Sequence, residues 1–201
     1  MLEFSKLWND FPKKNVMRAR CQNKQSSTSS SPFGNYCAIM LSDALIKSGV
    51  STNSAKVKKC WSHQGGKHIL LAEEMAGWLN KANIGGLNKV EKINPSSFQK
   101  DLENKTGIIF FKDYWQRGSE SIANRSGDHI DLWNKDEITS SSMFTRGIIE
   151  FFGRASDLNK SRSRWSLGRQ PAARLVARML CVICQVGRGG FSETNVFREA
   201  M

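Results

Sequence analysis

No run of apolar residues in the 201-residue chain approaches the ~20 needed to cross a bilayer, so no membrane partner is expected. The opening, Met1 to Trp8, lacks the basic start, apolar middle and small-residue cleavage site of a secretory leader. The chain is therefore expected to be made in the cytoplasm as a soluble protein, and any action outside the cell calls for another export route. Cysteine is sparse and odd in number. Cys21, Cys37, Cys60, Cys181 and Cys184 form no dense framework, so at least one thiol stays free or pairs between chains. Acidic residues are also few, 18 against 30 Lys and Arg, a net charge of +12. Such an excess invites a nucleic-acid partner, because phosphate neutralisation dominates that binding. Its distribution argues otherwise. Residues 1–160 hold 23 basic and 16 acidic residues spread along the chain, with no element that interleaves aromatic and basic side chains. A basic nucleic-acid-binding module stays as the rival reading, and a salt-sensitive shift of DNA or RNA is the observation that would favour it.

Lysine is missing altogether after residue 160. The body carries 17 Lys and six Arg, and residues 161–201 carry seven Arg, two Glu and no Lys. We therefore expect one domain over 1–160 and an atypical Arg-rich tail over 161–201. An apolar content of 39% suffices for one core.

Within the body, Phe4, Leu7, Trp8 and Phe11 recur at helical spacing and predict a helix ending before Pro12. Gln25 to Pro32 reads as a serine-rich loop. Ala38, Leu41, Ala44 and Leu45 form one stripe of a helix that Cys37 opens and Gly49 caps. Further helices are expected over 69–79 and 97–102, and strands over 107–112 and 129–133. Asn134 to Glu137 form a turn that returns 138–141 as a paired strand, with Lys135-Asp136 as its two-residue loop. The run Met179 to Val186 fits a strand or a buried helix equally.

The chemistry concentrates in two segments. Cys37 lies in the first turn of its helix, where backbone N–H groups and the dipole favour a thiolate. His129 heads a strand whose alternation puts Asp131 and Trp133 on its own face and Ile130 and Leu132 on the other. A cysteine opening a helix is often just a small buried apolar residue. Paired with a distant strand histidine, it is the layout of a papain-like hydrolase that opens an amide through an acyl-enzyme. In the proposed hairpin Ser140 falls opposite Asp131 and near His129, so either side chain is a candidate to orient the imidazole. Trp115, Arg117 and Arg125 are candidates to line a groove and meet carboxylates of a substrate. Cys60-x-x-His63 and Cys181-x-x-Cys184 each have chelating spacing, but no metal and no cofactor is expected, since one pair lies in the atypical tail.

Five stretches, Asn35 to Ile39, Cys60 to Gln64, His68 to Met75, Gly107 to Trp115 and Asn124 to Asn134, stand in an order that resembles the family 4 amidase effectors of type VI secretion systems. The resemblance implies an α+β, NlpC/P60-like papain fold with Cys37 as nucleophile and His129 as base. It implies cleavage of the γ-D-glutamyl–meso-diaminopimelate bond of peptidoglycan stem peptides, delivery by type VI secretion to a rival's periplasm through a delivery component, and a cognate immunity protein as partner. Members of the family carry an orienting aspartate on the strand after the histidine; Ser140 stands at that position here. The family pattern also ends near Ser163-Arg164-Trp165, where lysine gives way to arginine. A frameshifted or recombined end accounts for this change near Ser163, which predicts a mobile tail that can be trimmed cheaply. The nucleotide sequence tests it: if no other frame after codon 162 encodes an aromatic-rich strand, the tail is a genuine extension. A catalytically impaired remnant that still binds an immunity protein is the alternative to an active enzyme.

Overall fold

The computed structural model describes residues 1–139, apart from 27, 66, 95–96, 122–123 and 125, together with 180–186. Two short helices, α1 (Phe4–Asn9) and α2 (Lys14–Arg20), lead into a hairpin of β1 (Gln22–Lys24) and β2 (Ser30–Pro32). The cysteine helix α3 (Cys37–Lys47) and α4 (Ala72–Lys81) follow. Then come β3 (Leu87–Ile93), α5 (Phe98–Asp101), β4 (Thr106–Trp115), β5 (Gly127–Asn134), β6 (Glu137–Ile138) and β7 (Leu180–Val186). The strands β3-β7-β4-β5-β6 form one antiparallel sheet in that order, so the fold is α+β as the sequence leads one to expect.

Helix α3 is buried almost all round rather than along one stripe. Ala38, Leu41, Ala44 and Leu45 pack with α4 residues Met75 and Leu79 and with Ile108, Phe110, Ile130 and Leu132 of the sheet. Ile39 and Met40, on the other side, pack against Met17 of α2, Cys21 and Cys60. Helix α2 therefore supplies the second wall, and with Met17 its only buried residue it leaves no periodic signal to read in advance. Gly49 closes the helix at φ +87°, a conformation costly for residues with a Cβ. Helix α4 starts at Ala72 rather than at Ile69, because Lys59 and Ile69 form a β-bridge and Leu70 N–H donates to the Lys58 carbonyl.

The sheet has a core on each face. Ile130 and Leu132 of β5 look toward α3 and α4, while Trp133 packs with Phe98 and Leu102 at α5 and with Ile109, Phe111 and Ile138. The Trp133 Nε1–H donates to the Leu102 carbonyl at 3.0 Å, which satisfies the one polar atom of that ring. Gly127, at the start of β5, is required sterically: a Cβ there would overlap the Trp115 ring and carbonyl across the pair. The turn at Lys135-Asp136 holds the register Trp133↔Ile138 and Asn134↔Glu137 that a two-residue loop dictates.

The tail is where the sequence expectation and the fold part company. Residues 180–186 are a central strand, paired with β4 from Gly107↔Gln185 to Lys112↔Leu180 and with β3 from Leu87↔Val186 to Ile93↔Cys181. The rest of 161–201 lies outside the described residues, and so does the question whether it is mobile. Without β7, strand β3 loses its neighbour and β4 loses one edge of its ladder. Cheap trimming is therefore corrected: deletion of 180–201 should consume most of a typical domain stability of about 5–15 kcal/mol. Thermal unfolding of the truncated chain checks this, and a Tm within a few degrees of the full chain would contradict it.

Candidate active site

Cys37 is the first residue of α3, and Asn35 Oδ1 accepts a hydrogen bond from its backbone N–H at 3.2 Å. It lines an open cleft of about 580 Å³ together with Asn35, Met40, His129, Asp131 and Thr139, walled on the far side by Trp8, Phe11, Lys13 and Lys14. The helix dipole and the first-turn amides act on the sulfur at this place. Residues 35–37 thus present a sulfur, a helix end and a side-chain amide to one space.

His129 is buried on β5; its Nε2 lies 3.2 Å from Asp131 Oδ2, and its ring is also hydrogen-bonded to Cys37. Asp131 is itself held. Its Oδ1 accepts from the Leu132 N–H at 2.8 Å and from the Thr139 hydroxyl, so the carboxylate is fixed through both oxygens. Burial alone would lower the imidazole pKa. The hydrogen-bonded Asp131 carboxylate and the Cys37 sulfur outweigh it and raise the value to about 10. His129 is therefore an imidazolium at neutral pH, a protonated ring set beside the Cys37 sulfur.

The arrangement answers the sequence reading residue by residue. Cys37, His129 and Asp131 come together in one cleft. Ser140 and Arg125 lie outside the described residues. Thr139, the neighbour of Ser140, is the hydroxyl that reaches Asp131. Trp115 and Arg117 are not among the residues lining the cleft: Trp115 Nε1–H approaches the Asp128 carbonyl at 3.5 Å, and the Arg117 guanidinium sits 6.0 Å over the Trp115 ring and 3.9 Å from Asp128. Lys13 and Lys14, at the start of a helix too short and polar to be read beforehand, also line the cleft, as does Glu137. Asn35 is a further residue the sequence reading passed over, although its place two residues before the cysteine was visible. The Cys37 backbone N–H donates to this side chain.

A second cysteine also lies beside imidazoles. Cys21 Sγ is 3.0 Å from His68 Nδ1 and 3.3 Å from His63 Nε2. It follows α2 rather than opening a helix, and burial together with its hydrogen bond to Cys60 pushes its thiol up to about 12. Such a sulfur stays protonated at neutral pH. It has neither a thiolate nor a place in the cleft lining.

A helix-opening cysteine facing a histidine and aspartate on an antiparallel sheet defines a cysteine hydrolase of the papain-like class. Residues 33–167 match the family of type VI secretion system amidase effector protein 4, Tae4, over most of the chain. The chain belongs to that family, whose members are amidases acting on peptidoglycan and delivered to target cells. Its fold is similar to that of the type VI effector Tae4 from Enterobacter cloacae, with a TM-score of 0.53 and 20% identity over 73% of this chain and 89% of that one. It is similar too to the effector Tae4 from Salmonella typhimurium in complex with the immunity Tai4 from Enterobacter cloacae, with a TM-score of 0.50 and 16% identity over 92% and 99% of the two chains. No curated protein sequence matches the chain. Among the described residues, no helix is long and apolar enough to cross a membrane.

Proposed function

We propose that the chain hydrolyses the γ-D-glutamyl–meso-diaminopimelate bond of peptidoglycan stem peptides in the periplasm of a competing cell, with Cys37 as nucleophile and His129 as its acid and base. The observation that carries this reading is the Cys37–His129–Asp131 line within one open cleft. The thiolate attacks the amide carbonyl, the His129 imidazolium gives its proton to the leaving amine, and water then releases the acyl group with His129 as base. Asp131 holds the ring and stabilises its charge. Lys13 and Lys14, which line the cleft, meet the carboxylates of the stem peptide. An immunity protein is the natural partner, since the Salmonella relative is seen in complex with one; a secretion component that carries the chain is a second. Directed to the periplasm, the chain should lyse cells, and left in the cytoplasm it should be tolerated. Equal tolerance in both compartments would sink the reading.

Asn35 supplies the oxyanion donor in this scheme. Its Oδ1 accepts from the Cys37 N–H and the residue lines the cleft, so in this scheme its NH2 group is the donor. Asn35→Ala should lower kcat by about 10²–10³ with KM little changed, the usual loss for one oxyanion donor. Steady-state kinetics on a stem-peptide substrate reads this, and an unchanged kcat would remove Asn35 from the mechanism.

A further inference from the structure

Away from the cleft, one largely buried group of side chains, with His63 at its half-buried edge, has the make-up of a metal centre. Cys21 Sγ, His63 Nε2 and His68 Nδ1 converge with separations of 3.3, 3.0 and 3.2 Å. Cys60 stands in the loop that carries both histidines, with its Sγ 3.1 Å from Ser62 Oγ, and it acts on the Cys21 thiol, so the loop offers a Cys60-x2-His63-x4-His68 spacing with Cys21 at the end of α2.

The hydrogen bonds on the far sides of the rings decide what the near sides offer. His68 Nε2 lies 3.3 Å from Asp43 Oδ1, and that carboxylate is anchored by Arg20 at 3.1 Å and Lys47 at 2.7 Å. The proton therefore sits on His68 Nε2 and the Nδ1 lone pair is bare. His63 Nδ1 is 2.9 Å from the Gln64 carbonyl, which can only accept, so its proton sits there and the Nε2 lone pair is bare as well. Two imidazole lone pairs thus face each other at 3.2 Å, with the Cys21 thiol proton as the one hydrogen available to both. A cation satisfies all three atoms at once. The carboxylate behind His68 and the carbonyl behind His63 are the outer partners that metal-bound histidines require.

We propose that Cys21, Cys60, His63 and His68 bind a structural zinc ion that clamps the 60–68 loop to the segment leading into the nucleophile helix. Two thiolates and two imidazoles are a tetrahedral zinc set, and bonds of 2.3 Å to sulfur and 2.0–2.1 Å to nitrogen put neighbouring ligand atoms roughly 3.3–3.8 Å apart. The three convergent atoms need to open by only a few tenths of an ångström. Binding exchanges the Cys21 and Cys60 thiol protons, released to solvent, for two metal–sulfur bonds, while both imidazoles coordinate in the neutral form. The clamp reaches the active site through Tyr36, whose hydroxyl donates to the Cys21 carbonyl at 2.8 Å and which directly precedes Cys37. This site is the pair Cys60 and His63 of the sequence, joined by Cys21 and His68 instead of Cys181 and Cys184.

The proposal is independent of the catalytic assignment and is tested on the full, tag-free, reduced chain reconstituted with zinc and freed of excess ion. Elemental analysis should find one zinc per chain, retained in Cys37→Ala, and zinc should raise Tm by roughly 5 °C or more. Cys21→Ser should lose the ion. His63→Gln, at a less buried position where folding is not at stake, should lose at least nine-tenths of it at the same free zinc concentration. With cobalt in place of zinc, the thiolate charge-transfer absorption should fall by about half in Cys60→Ser. A folded wild type holding less than a tenth of an equivalent, or His63→Gln holding as much as wild type, overturns the site. An unchanged cobalt spectrum in Cys60→Ser removes that residue from it.

Discussion

Cys37→Ala leaves the chain folded and without amidase activity. The sulfur is the bond-forming atom of the proposed mechanism, and removal of a nucleophile from an activated pair costs on the order of 10⁶ in kcat, as it does in serine triads. The packing cost is small by comparison. The substitution deletes one sulfur at the rim of the α3 core, beside the cleft, where the side chain is not the only filler of the space. His129→Ala should be as inactive, since the same pair is broken from the other side, and the double variant should be no worse than either single one. Circular dichroism and thermal unfolding separate the two effects: near-native spectra with no turnover fit the account. Residual activity of Cys37→Ala above about a thousandth of wild type would not.

Asp131→Asn should cost up to about 10⁴ in kcat, the loss seen when a triad carboxylate becomes an amide. The geometry gives the reason. Asp131 Oδ2 receives the imidazole Nε2, and its other oxygen is pinned by Leu132 N–H and the Thr139 hydroxyl, so an amide in its place must turn either a donor toward the ring or a donor toward Thr139 and the backbone. The charge matters as much as the orientation. His129 is raised from 6.5 to about 10 by Asp131 and Cys37 against the opposing effect of burial, so wild-type activity should hold through neutral pH and fall only as the imidazolium deprotonates toward pH 10. Asp131→Asn should bring that alkaline limb down. The stability linkage has the same sign: a raised folded pKa contributes stability in full below pH 6.5, which is lost as pH rises toward 10. An Asp131→Asn enzyme with wild-type kcat and an unmoved alkaline limb would transfer the orienting role to another group, Ser140 first among them.

The parts of this fold that were legible in the sequence are those where one rule governs a whole segment. The stripe Ala38, Leu41, Ala44, Leu45 and the cap at Gly49 marked α3, and alternation at His129 to Trp133 separated Ile130 and Leu132 from the polar pair before any coordinates. The two-residue turn at Lys135-Asp136 fixed the register of β6. Helix α2 and strand β3 were not legible, because KNVMRAR buries only Met17 and LNKVEKI carries three charged residues in seven; each is formed by what packs or pairs with it. Residues 180–186 have a pattern shared by strands and buried helices, and only the ladders with β3 and β4 decide it. In the site, Cys37, His129 and Asp131 were readable as chemistry. Asn35, Thr139 and Lys14 were not, since a polar residue comes to line the cleft or to bond Cys37 or Asp131 from a direction that spacing alone does not give. Cys21, His68 and Asp43 stand far apart in sequence and meet only because α2 and the 60–68 loop both pack on α3.

Digestion of purified sacculi, followed by mass spectrometry of the released muropeptides, tests the central claim most directly. The wild-type chain should convert stem peptides into fragments that end in the D-glutamyl residue and fragments that begin with a free meso-diaminopimelyl amine, and Cys37→Ala should release neither. Release of the same fragments by Cys37→Ala, or cuts by the wild type at any other bond, would contradict it.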